Sequence, residues 1–339
     1  MAAAAPPHGI WVPVPTFFAR KAAADYSPVS PPLDPDTQLS HAVFLANAGV
    51  RGLVLLGSTG EAVHVTRAER VALVKHLREG LAAAGFPAFP LMAGTAANSV
   101  DETAALLAAS KEAGADYGLV LAPSYFAGVT SQEGVVAWFA AVAARSPMPI
   151  LIYHYPGVSN NLKITPATVR TLAAHPNIVG AKFSHGDISA HCQVALDPAI
   201  DHERFALFTG LGQHLFPAVQ VGVAGAIDGL AAFYPASMVR LFELASADEM
   251  GSKQREEARR IQWAASRAEE LVVGCGVVGI KEAVARVCGF GDADGTRLPL
   301  LGGLGDQEWK RWEPVMAEME RVEKAVRSGG PLYSSLDGP

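Results

Sequence analysis

Short apolar runs alternate with longer amphipathic segments along most of the chain. Eight runs have the length of β-strands and are almost continuously hydrophobic, as parallel strands buried on both faces are. They span residues 9–14, 52–56, 88–93, 117–121, 149–153, 178–182, 205–208 and 222–227. Helical periodicity fills the intervening segments, at residues 37–48, 67–84, 100–113, 131–144, 166–174 and 212–219. A capping-box pattern from Thr66 to Glu69 supports this division of the chain.

This alternation predicts an α/β protein built as a closed (β/α)8 TIM barrel with a C-terminal helical extension. An open doubly wound sheet is the alternative, but it favours a GxGxxG turn after its first strand, which this sequence lacks. From residue 248 the pattern is helical, at residues 252–273, 277–287 and 306–327. We therefore divide the 339 residues into a flexible N-terminus (1–8), the barrel (9–247), a helical region (248–327) and a disordered tail (328–339).

The composition narrows the class of protein further. Half of the residues are hydrophobic, and a net charge of −6 without a basic cluster argues against a nucleic-acid partner. The sequence has no apolar run of the ~20 residues that a membrane span needs. Cys192, Cys275 and Cys288 lack metal-ligand spacing, so reduced thiols are expected. We expect a cytoplasmic protein that binds neither nucleic acid nor membrane, with a mitochondrial signal left open.

Lys182 ends the sixth predicted strand and is the first candidate for chemistry. Active sites of such barrels lie at the C-terminal ends of the strands. Burial there disfavours the ammonium form and lowers the pKa of a lysine. The resulting free amine can attack a ketone and form a Schiff base. The alternative is a lysine whose ammonium reaches water at the rim of the barrel.

Three other strand ends carry groups that complement such an amine. The segment Gly57-Ser58-Thr59-Gly60-Glu61 follows the second strand, and a turn of this kind can bind a small carboxylate through its N–H and hydroxyl groups. Tyr153 ends the fifth strand and Tyr125 follows the fourth, and a phenol can relay protons. An ordinary capping turn and core aromatics are the alternatives. Together these groups are what imine catalysis on a 2-oxo acid requires.

Three segments occur in the order and spacing of one family. They are residues 57–61, the Tyr-His-Tyr-Pro segment 153–156 and the Gly-Ala-Lys segment 180–182. The chain resembles the dihydrodipicolinate synthase / N-acetylneuraminate lyase family of class I aldolases, over about residues 9–300. Loop 19–35, residues 62–64 and the extended C-terminus are most similar to fungal 4-hydroxy-2-oxoglutarate and 2-keto-3-deoxy sugar acid aldolases.

The resemblance implies a role for each motif residue. Lys182 is implied to be the Schiff-base lysine and Tyr153 the residue that moves protons to and from the substrate. The catalytic residue Thr59, with Ser58 and Gly60, is implied to bind the pyruvate carboxylate. No metal or organic cofactor is implied.

Other residues are implied to complete the site. Gly210 and Ile227 match positions that line the pyruvate end of the pocket. Tyr125 matches a catalytic tyrosine that crosses a dimer interface to extend the proton relay. The implied assembly is a homotetramer built as a dimer of dimers.

Val158 stands where the synthases of the family have an arginine that anchors the carboxylate of the aldehyde substrate. Valine cannot make that contact, which counts against lysine-biosynthesis activity. The leading prediction is therefore a lyase that releases pyruvate from a 4-hydroxy-2-oxo acid. The alternatives are 4-hydroxy-tetrahydrodipicolinate synthase or another pyruvate-condensing or hydratase-aldolase activity, and a catalytically silent binding protein. His154 is interpreted as a core histidine, and Asp187 and Asp228 as possible contacts for substrate hydroxyls.

Overall fold

The computed structural model of the chain describes residues 4–330 and residue 332. Eight parallel strands form a closed barrel in sequence order, and the first strand pairs with both the second and the eighth. The strands are β1 (Gly9–Pro13), β2 (Gly52–Leu55), β3 (Leu91–Thr95), β4 (Tyr117–Leu121), β5 (Ile150–His154), β6 (Ile178–Phe183), β7 (Ala206–Thr209) and β8 (Gly225–Ile227). The predicted barrel is confirmed.

A helix follows each strand and packs on the outside of the barrel. These helices are α1 (Pro35–Asn47), α2 (Arg67–Ala83), α3 (Val100–Glu112), α4 (Gln132–Arg145), α5 (Pro166–Ala173), α6 (Ile188–Ala195), α7 (Leu215–Val219) and α8 (Pro235–Ala245). The predicted capping box is present, because the Thr66 hydroxyl accepts from the Glu69 N–H while the Glu69 carboxylate accepts from the Thr66 N–H. The sequence therefore predicted the start of α2 correctly.

Several elements differ from their prediction: β3 and β8 each begin three residues later, and two of the eight outer helices were not predicted. Strand β3 begins at Leu91 rather than at residue 88, because the preceding residues form a loop whose Phe89 carbonyl accepts a hydrogen bond from Arg78 at 2.8 Å. The two helices for which the sequence pattern gave no prediction are α6 and α8. Asp187 caps α6 by accepting from the Ala190 N–H at 3.0 Å.

The barrel interior is filled by one cluster of buried side chains to which every strand contributes. Trp11 lies near the N-terminal end of the barrel and donates from its indole to the Pro7 carbonyl at 3.0 Å. Tyr153 and Ile227 belong to the same cluster at the C-terminal end. A larger cluster fills the space between the strands and the helices. The barrel interior is thus a packed core, and a cavity opens where the strands end.

The C-terminal region packs across the C-terminal end of the barrel. It consists of α9 (Ser252–Ala283), a π-helical segment (Val284–Cys288) and α10 (Gly305–Ser328). The backbone of α9 leaves the helical conformation at Gly276 (φ 55°, ψ −141°), within the gap that the sequence predicted between residues 273 and 277. Because α9 crosses the strand ends, it can contribute side chains to a site there.

The division of the chain into a flexible N-terminus, a barrel, a helical region and a disordered tail stays a prediction. Residues 1–3, 331 and 333–339 of the predicted termini lie outside the described residues. All three cysteines are free. Among the described residues, no helix is long and apolar enough to cross a membrane.

A buried ion pair joins α9 to the turn after β2. The Lys281 ammonium contacts the Glu61 carboxylate, and both side chains are buried. Burial lowers the pKa of Lys281 to about 8, although the Glu61 charge opposes that shift. The second Glu61 oxygen accepts from the His64 ring at 2.9 Å and from the Arg297 N–H at 3.2 Å. This network fixes the C-terminal region against the turn that carries Ser58 and Thr59.

We expect Lys281→Ala to lower the free energy of unfolding by about 3–5 kcal/mol, because it leaves the Glu61 carboxylate buried without its partner. Lys324→Ala is the matched control, since Lys324 forms an exposed helical pair with Glu320 and such pairs contribute about 0.5 kcal/mol. Urea unfolding of the two variants measures the difference. Equal losses would show that the Lys281 pair does not hold the C-terminal region in place.

Candidate active site

A cavity of about 730 Å³ opens at the C-terminal ends of the strands. It is bordered by residues from β5, β6 and the turns that follow β2, β6, β7 and β8, and by α9. The predicted site residues that border it are Ser58, Thr59, Tyr153, Lys182, Gly210 and Ile227. Residues far apart in the sequence therefore meet in one cavity large enough for a small organic acid.

Lys182 lies in β6, beside Tyr153 of β5 and Phe208 of β7. Its side chain is 4% exposed, and its nitrogen lies 4.6 Å from the centre of the Tyr153 ring. Burial lowers the pKa of Lys182 to about 7, against the opposing charges of Asp228 and Glu269. A large fraction of the side chain is therefore a free amine at neutral pH, and the alternative of a lysine that reaches water at the rim does not fit this burial.

Tyr153 is the nearest group that can exchange a proton with a ligand on Lys182. Its hydroxyl lies 2.8 Å from the Ser58 hydroxyl and also hydrogen-bonds to Ser184. Burial raises the pKa of Tyr153 to about 12, so the phenol is protonated near neutral pH. It is therefore a proton donor in the free protein, and its link to Ser58 provides a path for protons.

The turn after β2 is held in an unusual backbone conformation. Leu56 and Glu61 both have left-handed φ angles, of 56° and 51°, although neither is glycine. Gly60 does not border the cavity. A Cβ atom at this position would lie 2.7 Å from the Leu56 nitrogen. The Gly60 carbonyl accepts a hydrogen bond from the Thr16 hydroxyl at 2.6 Å. Strained backbone of this kind persists where the surroundings enforce it, and here it turns Ser58 and Thr59 towards the cavity.

Tyr125 lies apart from the other predicted site residues. Its side chain is 77% exposed and its ring packs edge-on against Phe126, with 5.0 Å between the ring centres. It does not border the cavity. Within one chain the structure thus keeps Tyr125 away from Lys182, and its implied role across a dimer interface stays a prediction.

Sequence reasoning missed Ser184 and Glu269, which lie around the amine, and assigned Asp228 to substrate hydroxyls rather than to the amine. Ser184 follows the end of β6, and its hydroxyl lies 2.0 Å from the position that a side chain on Gly210 would occupy, so only glycine fits there. Asp228 follows β8 and Glu269 lies in α9, and the charges of both act on Lys182. Position at a strand end was a signal for Ser184 and Asp228. Nothing in the sequence pattern distinguished Glu269 from the other charged residues of α9.

His154, Asp187 and Asp228 make hydrogen bonds within the fold rather than facing the cavity. His154 is buried, and its Nε2 accepts from the Ile164 N–H at 3.1 Å, which agrees with its interpretation as a core histidine. Asp187 caps α6, and Asp228 is fully buried with its carboxylate accepting from the Ala231 N–H at 3.1 Å. Neither aspartate borders the cavity.

We expect Lys182 to react as an amine with a pKa near 7. Competitive acetylation followed by peptide mass spectrometry gives the pH dependence of each lysine, and exposed Lys324 provides an internal reference. Below its pKa the ammonium form is unreactive, so the Lys182 signal should rise through about pH 7, far below the value of about 10.4 that a solvated lysine has in a model peptide. Coincident profiles would contradict the lowered pKa of Lys182.

Comparison with known proteins connects this geometry to a family. The sequence model of the Dihydrodipicolinate synthetase family matches residues 32–308. The chain is 35% identical to L-threo-3-deoxy-hexylosonate aldolase from Hypocrea jecorina, over 97% of this chain and 98% of the relative. It is also 35% identical to a protein from Emericella nidulans named "Probable 4-hydroxy-2-oxoglutarate aldolase, mitochondrial", over 84% of this chain and 86% of the relative.

Solved structures of the same family are also similar to this chain. A dihydrodipicolinate synthase family protein from Coccidioides immitis superposes with a TM-score of 0.80 at 29% identity, covering 96% of this chain and 99% of the other. YagE from E. coli K12, solved in complex with pyruvate, superposes with a TM-score of 0.79 at 25% identity, covering 92% of this chain and 98% of YagE. The barrel, the cavity and these matches show that the chain belongs to the dihydrodipicolinate synthase family.

Proposed function

We propose that this enzyme is a class I aldolase that binds a 4-hydroxy-2-oxo acid as an imine on Lys182 and releases pyruvate. The observation that carries the proposal is the position of the Lys182 amine over the Tyr153 ring. Burial lowers the pKa of this amine to about 7, and the Tyr153 hydroxyl is hydrogen-bonded to Ser58. The relatives from Hypocrea jecorina and Emericella nidulans are named as aldolases, which supports the same reaction class.

The first stage of the reaction forms the imine. The neutral Lys182 amine attacks C2 of the substrate, and its proton passes to the carbonyl oxygen to give a carbinolamine. Tyr153 is protonated in the free enzyme, so it can donate its proton to the departing hydroxyl, which leaves as water. The products of this stage are a protonated imine and a Tyr153 phenolate. The covalent bond to Lys182 divides one difficult step into several easier ones.

The second stage breaks the carbon–carbon bond. The Tyr153 phenolate takes the proton of the C4 hydroxyl, an aldehyde forms at C4, and the electrons of the C3–C4 bond pass into the protonated imine to give an enamine. Protonation at C3 and hydrolysis then release pyruvate and restore the amine. Because the imine itself accepts the electrons, we propose that the reaction needs no metal and no organic cofactor. Ser58 and Thr59, which border the cavity, are proposed to hold the substrate carboxylate.

The other groups that border the cavity favour an uncharged, hydroxylated aldehyde fragment. They include Val158, Gln213, Ser266 and Glu270, and Glu270 accepts a hydrogen bond from Gln213 at 2.8 Å. Lys182 is the one lysine or arginine among the described residues that border the cavity. A second substrate carboxylate would therefore lack a cationic partner and would meet the negative charge of Glu270.

Two histidines that border the cavity do not supply a cation for a second carboxylate. His185 and His214 border the cavity, but burial lowers the pKa of His185 to about 4 and also lowers that of His214. Both rings are neutral near pH 7 and can only exchange hydrogen bonds with a substrate hydroxyl. We therefore propose a 2-keto-3-deoxy sugar acid as the substrate class. The second candidate is 4-hydroxy-2-oxoglutarate, which the name of the Emericella nidulans relative supports.

Assembly and compartment belong to the proposal as well. Tyr125, Phe126 and Val129 are exposed apolar side chains after β4, and we propose that copies of the chain meet there and that Tyr125 reaches a second chain's site. We propose a homotetramer on this basis. A cytoplasmic location stays our prediction with the mitochondrion left open, since two fungal relatives carry the word mitochondrial in their names.

Tyr153→Phe should lower kcat by about 100-fold to 10,000-fold, the range for loss of a general acid–base group. Lys182 is intact in this variant, so borohydride should still trap pyruvate on it at a reduced rate. Tyr117→Phe is the matched control, because that phenol lies at the N-terminal end of the barrel near Ala5. An unchanged kcat in Tyr153→Phe would show that Tyr153 does not transfer protons in the reaction.

The substrate preference is tested with a panel of 4-hydroxy-2-oxo acids and a coupled assay for pyruvate. We expect kcat/KM for a 2-keto-3-deoxy sugar acid to exceed that for 4-hydroxy-2-oxoglutarate by about 10-fold or more, equivalent to about 1.4 kcal/mol. Val158→Arg should narrow this ratio by supplying a cation for the second carboxylate, while Val158→Met changes size alone. A preference for the dicarboxylate in the parent enzyme would overturn the proposed substrate class.

A further inference from the structure

Two carboxyl groups, those of Asp228 and Glu269, are fully buried close to Lys182. Both side chains have 0% exposure. One oxygen of each is held by the same turn after β8, because the Ala231 N–H donates to Asp228 Oδ1 at 3.1 Å and the Leu230 N–H donates to Glu269 Oε1 at 3.3 Å. Consecutive amides of one turn therefore place a strand-end aspartate and a glutamate of α9 side by side.

The other oxygen of each carboxyl group is buried without a donor. Asp228 Oδ2 and Glu269 Oε2 receive no hydrogen bond from any described protein group, and the two carboxyl groups contact each other. Two adjacent carboxylates in a buried site cannot both be ionised. A single proton shared between Oδ2 and Oε2 gives both atoms a partner and leaves the pair with one negative charge. Burial raises the pKa of both groups, as this arrangement requires.

The pair acts electrostatically on Lys182. The charges of Asp228 and Glu269 raise the pKa of Lys182 while burial lowers it. The other titratable groups around the amine come from β5, the turns after β5, β6 and β7, and α9. Tyr153, Tyr155, His185 and His214 are neutral near pH 7, and Glu270 is hydrogen-bonded to Gln213.

We propose that Asp228 and Glu269 act as one proton-sharing counter-ion for the protonated imine on Lys182. The inference rests on the proposed function and adds two positioning residues to it, since neither side chain borders the cavity. A protonated imine carries a full positive charge in a site where the free amine is largely neutral, and burying that charge is costly unless a negative group compensates it. The pair provides that compensation.

The shared proton explains why two carboxyl groups are present rather than one. A single ionised carboxylate beside a buried lysine would hold it as an ammonium ion, which cannot attack a ketone. In the pair, one charge is spread over two carboxyl groups that also accept hydrogen bonds from Leu230 and Ala231. The weaker field leaves Lys182 near neutrality and still stabilises the imine after it forms.

The test uses Asp228→Asn, Glu269→Gln and the double variant, in the full chain. Each single variant replaces a carboxyl group by an amide of the same shape that can donate to the remaining carboxylate, so the charge of the pair is kept. The double variant removes the charge. Glu323→Gln is the matched control, because Glu323 is a buried carboxylate that caps α8 through Ala236 and Ser237, away from the cavity.

The single variants should retain kcat within about 5-fold of the parent, whereas the double variant should lose about 100-fold or more. The acetylation profile of Lys182 should keep its midpoint in the single variants and move to lower pH by about one unit or more in the double variant, because loss of a nearby negative charge lowers a lysine pKa. A purely structural role for the pair would not move this midpoint. A double variant that is folded and keeps the parent midpoint and kcat would overturn the proposal, as would a single variant that falls as far as the double.

Infrared spectroscopy of the parent enzyme keeps the proposal testable if the double variant does not fold. At neutral pH the parent should show the carbonyl band of a protonated carboxylic acid, and Glu269→Gln should lose it. Absence of that band in the parent would overturn the shared proton. The proposed function fails separately, if the parent enzyme forms no pyruvate adduct on Lys182 in the presence of borohydride.

Discussion

The burial of one amine is the constraint on which the rest of the site depends. Lys182 lies at the end of β6 with 4% exposure, and the cost of desolvating its charge lowers its pKa to about 7. A fully solvated lysine would be protonated and unreactive at that pH. Two neighbouring features maintain this burial or offset its effect on the pKa of Lys182. The Tyr153 ring covers one side of the nitrogen, and the Asp228–Glu269 pair limits how far the pKa falls.

The C-terminal helices complete this environment from outside the barrel. Helix α9 supplies Glu269, borders the cavity, and ends near the Lys281–Glu61 pair that fixes the turn after β2. That turn in turn carries Ser58, whose hydroxyl meets Tyr153. The same helix therefore contributes to the electrostatics of the amine and to the position of the proton relay. Substitutions far from Lys182 in sequence can reach its chemistry through this path.

Much of the fold and part of the site follow from local sequence. Near-continuous apolar strands and caps such as Thr66 predict the barrel, because they depend on neighbouring residues alone. The positions of Lys182 and Tyr153 at strand ends were predictable from the apolar runs that they end, whereas their catalytic roles follow from the family resemblance and stay predictions. The family membership and the aldolase class, which the motifs predicted, agree with the names of the relatives.

The rest depends on contacts between distant segments. Asp228 and Glu269 are separated by a helix in sequence, and charged residues are usually exposed, so no pattern indicated that they meet in the interior. Residues 88–90 have the apolar composition of a strand, but they form a loop whose Phe89 carbonyl accepts a hydrogen bond from Arg78 of α2. Tyr125 is exposed and does not border the cavity of its own chain, so its proposed role depends on a second copy of the chain.

The central claim is that Lys182, made nucleophilic by burial, forms an imine with pyruvate. Incubation with pyruvate and borohydride, followed by peptide mass spectrometry, tests it most directly, because reduction makes the imine permanent. Lys281 is an internal comparison, since burial lowers its pKa to about 8 but it does not border the cavity. Our account predicts a pyruvate-dependent adduct on Lys182 and none on Lys281. No adduct, or one on Lys281 in place of Lys182, would contradict it.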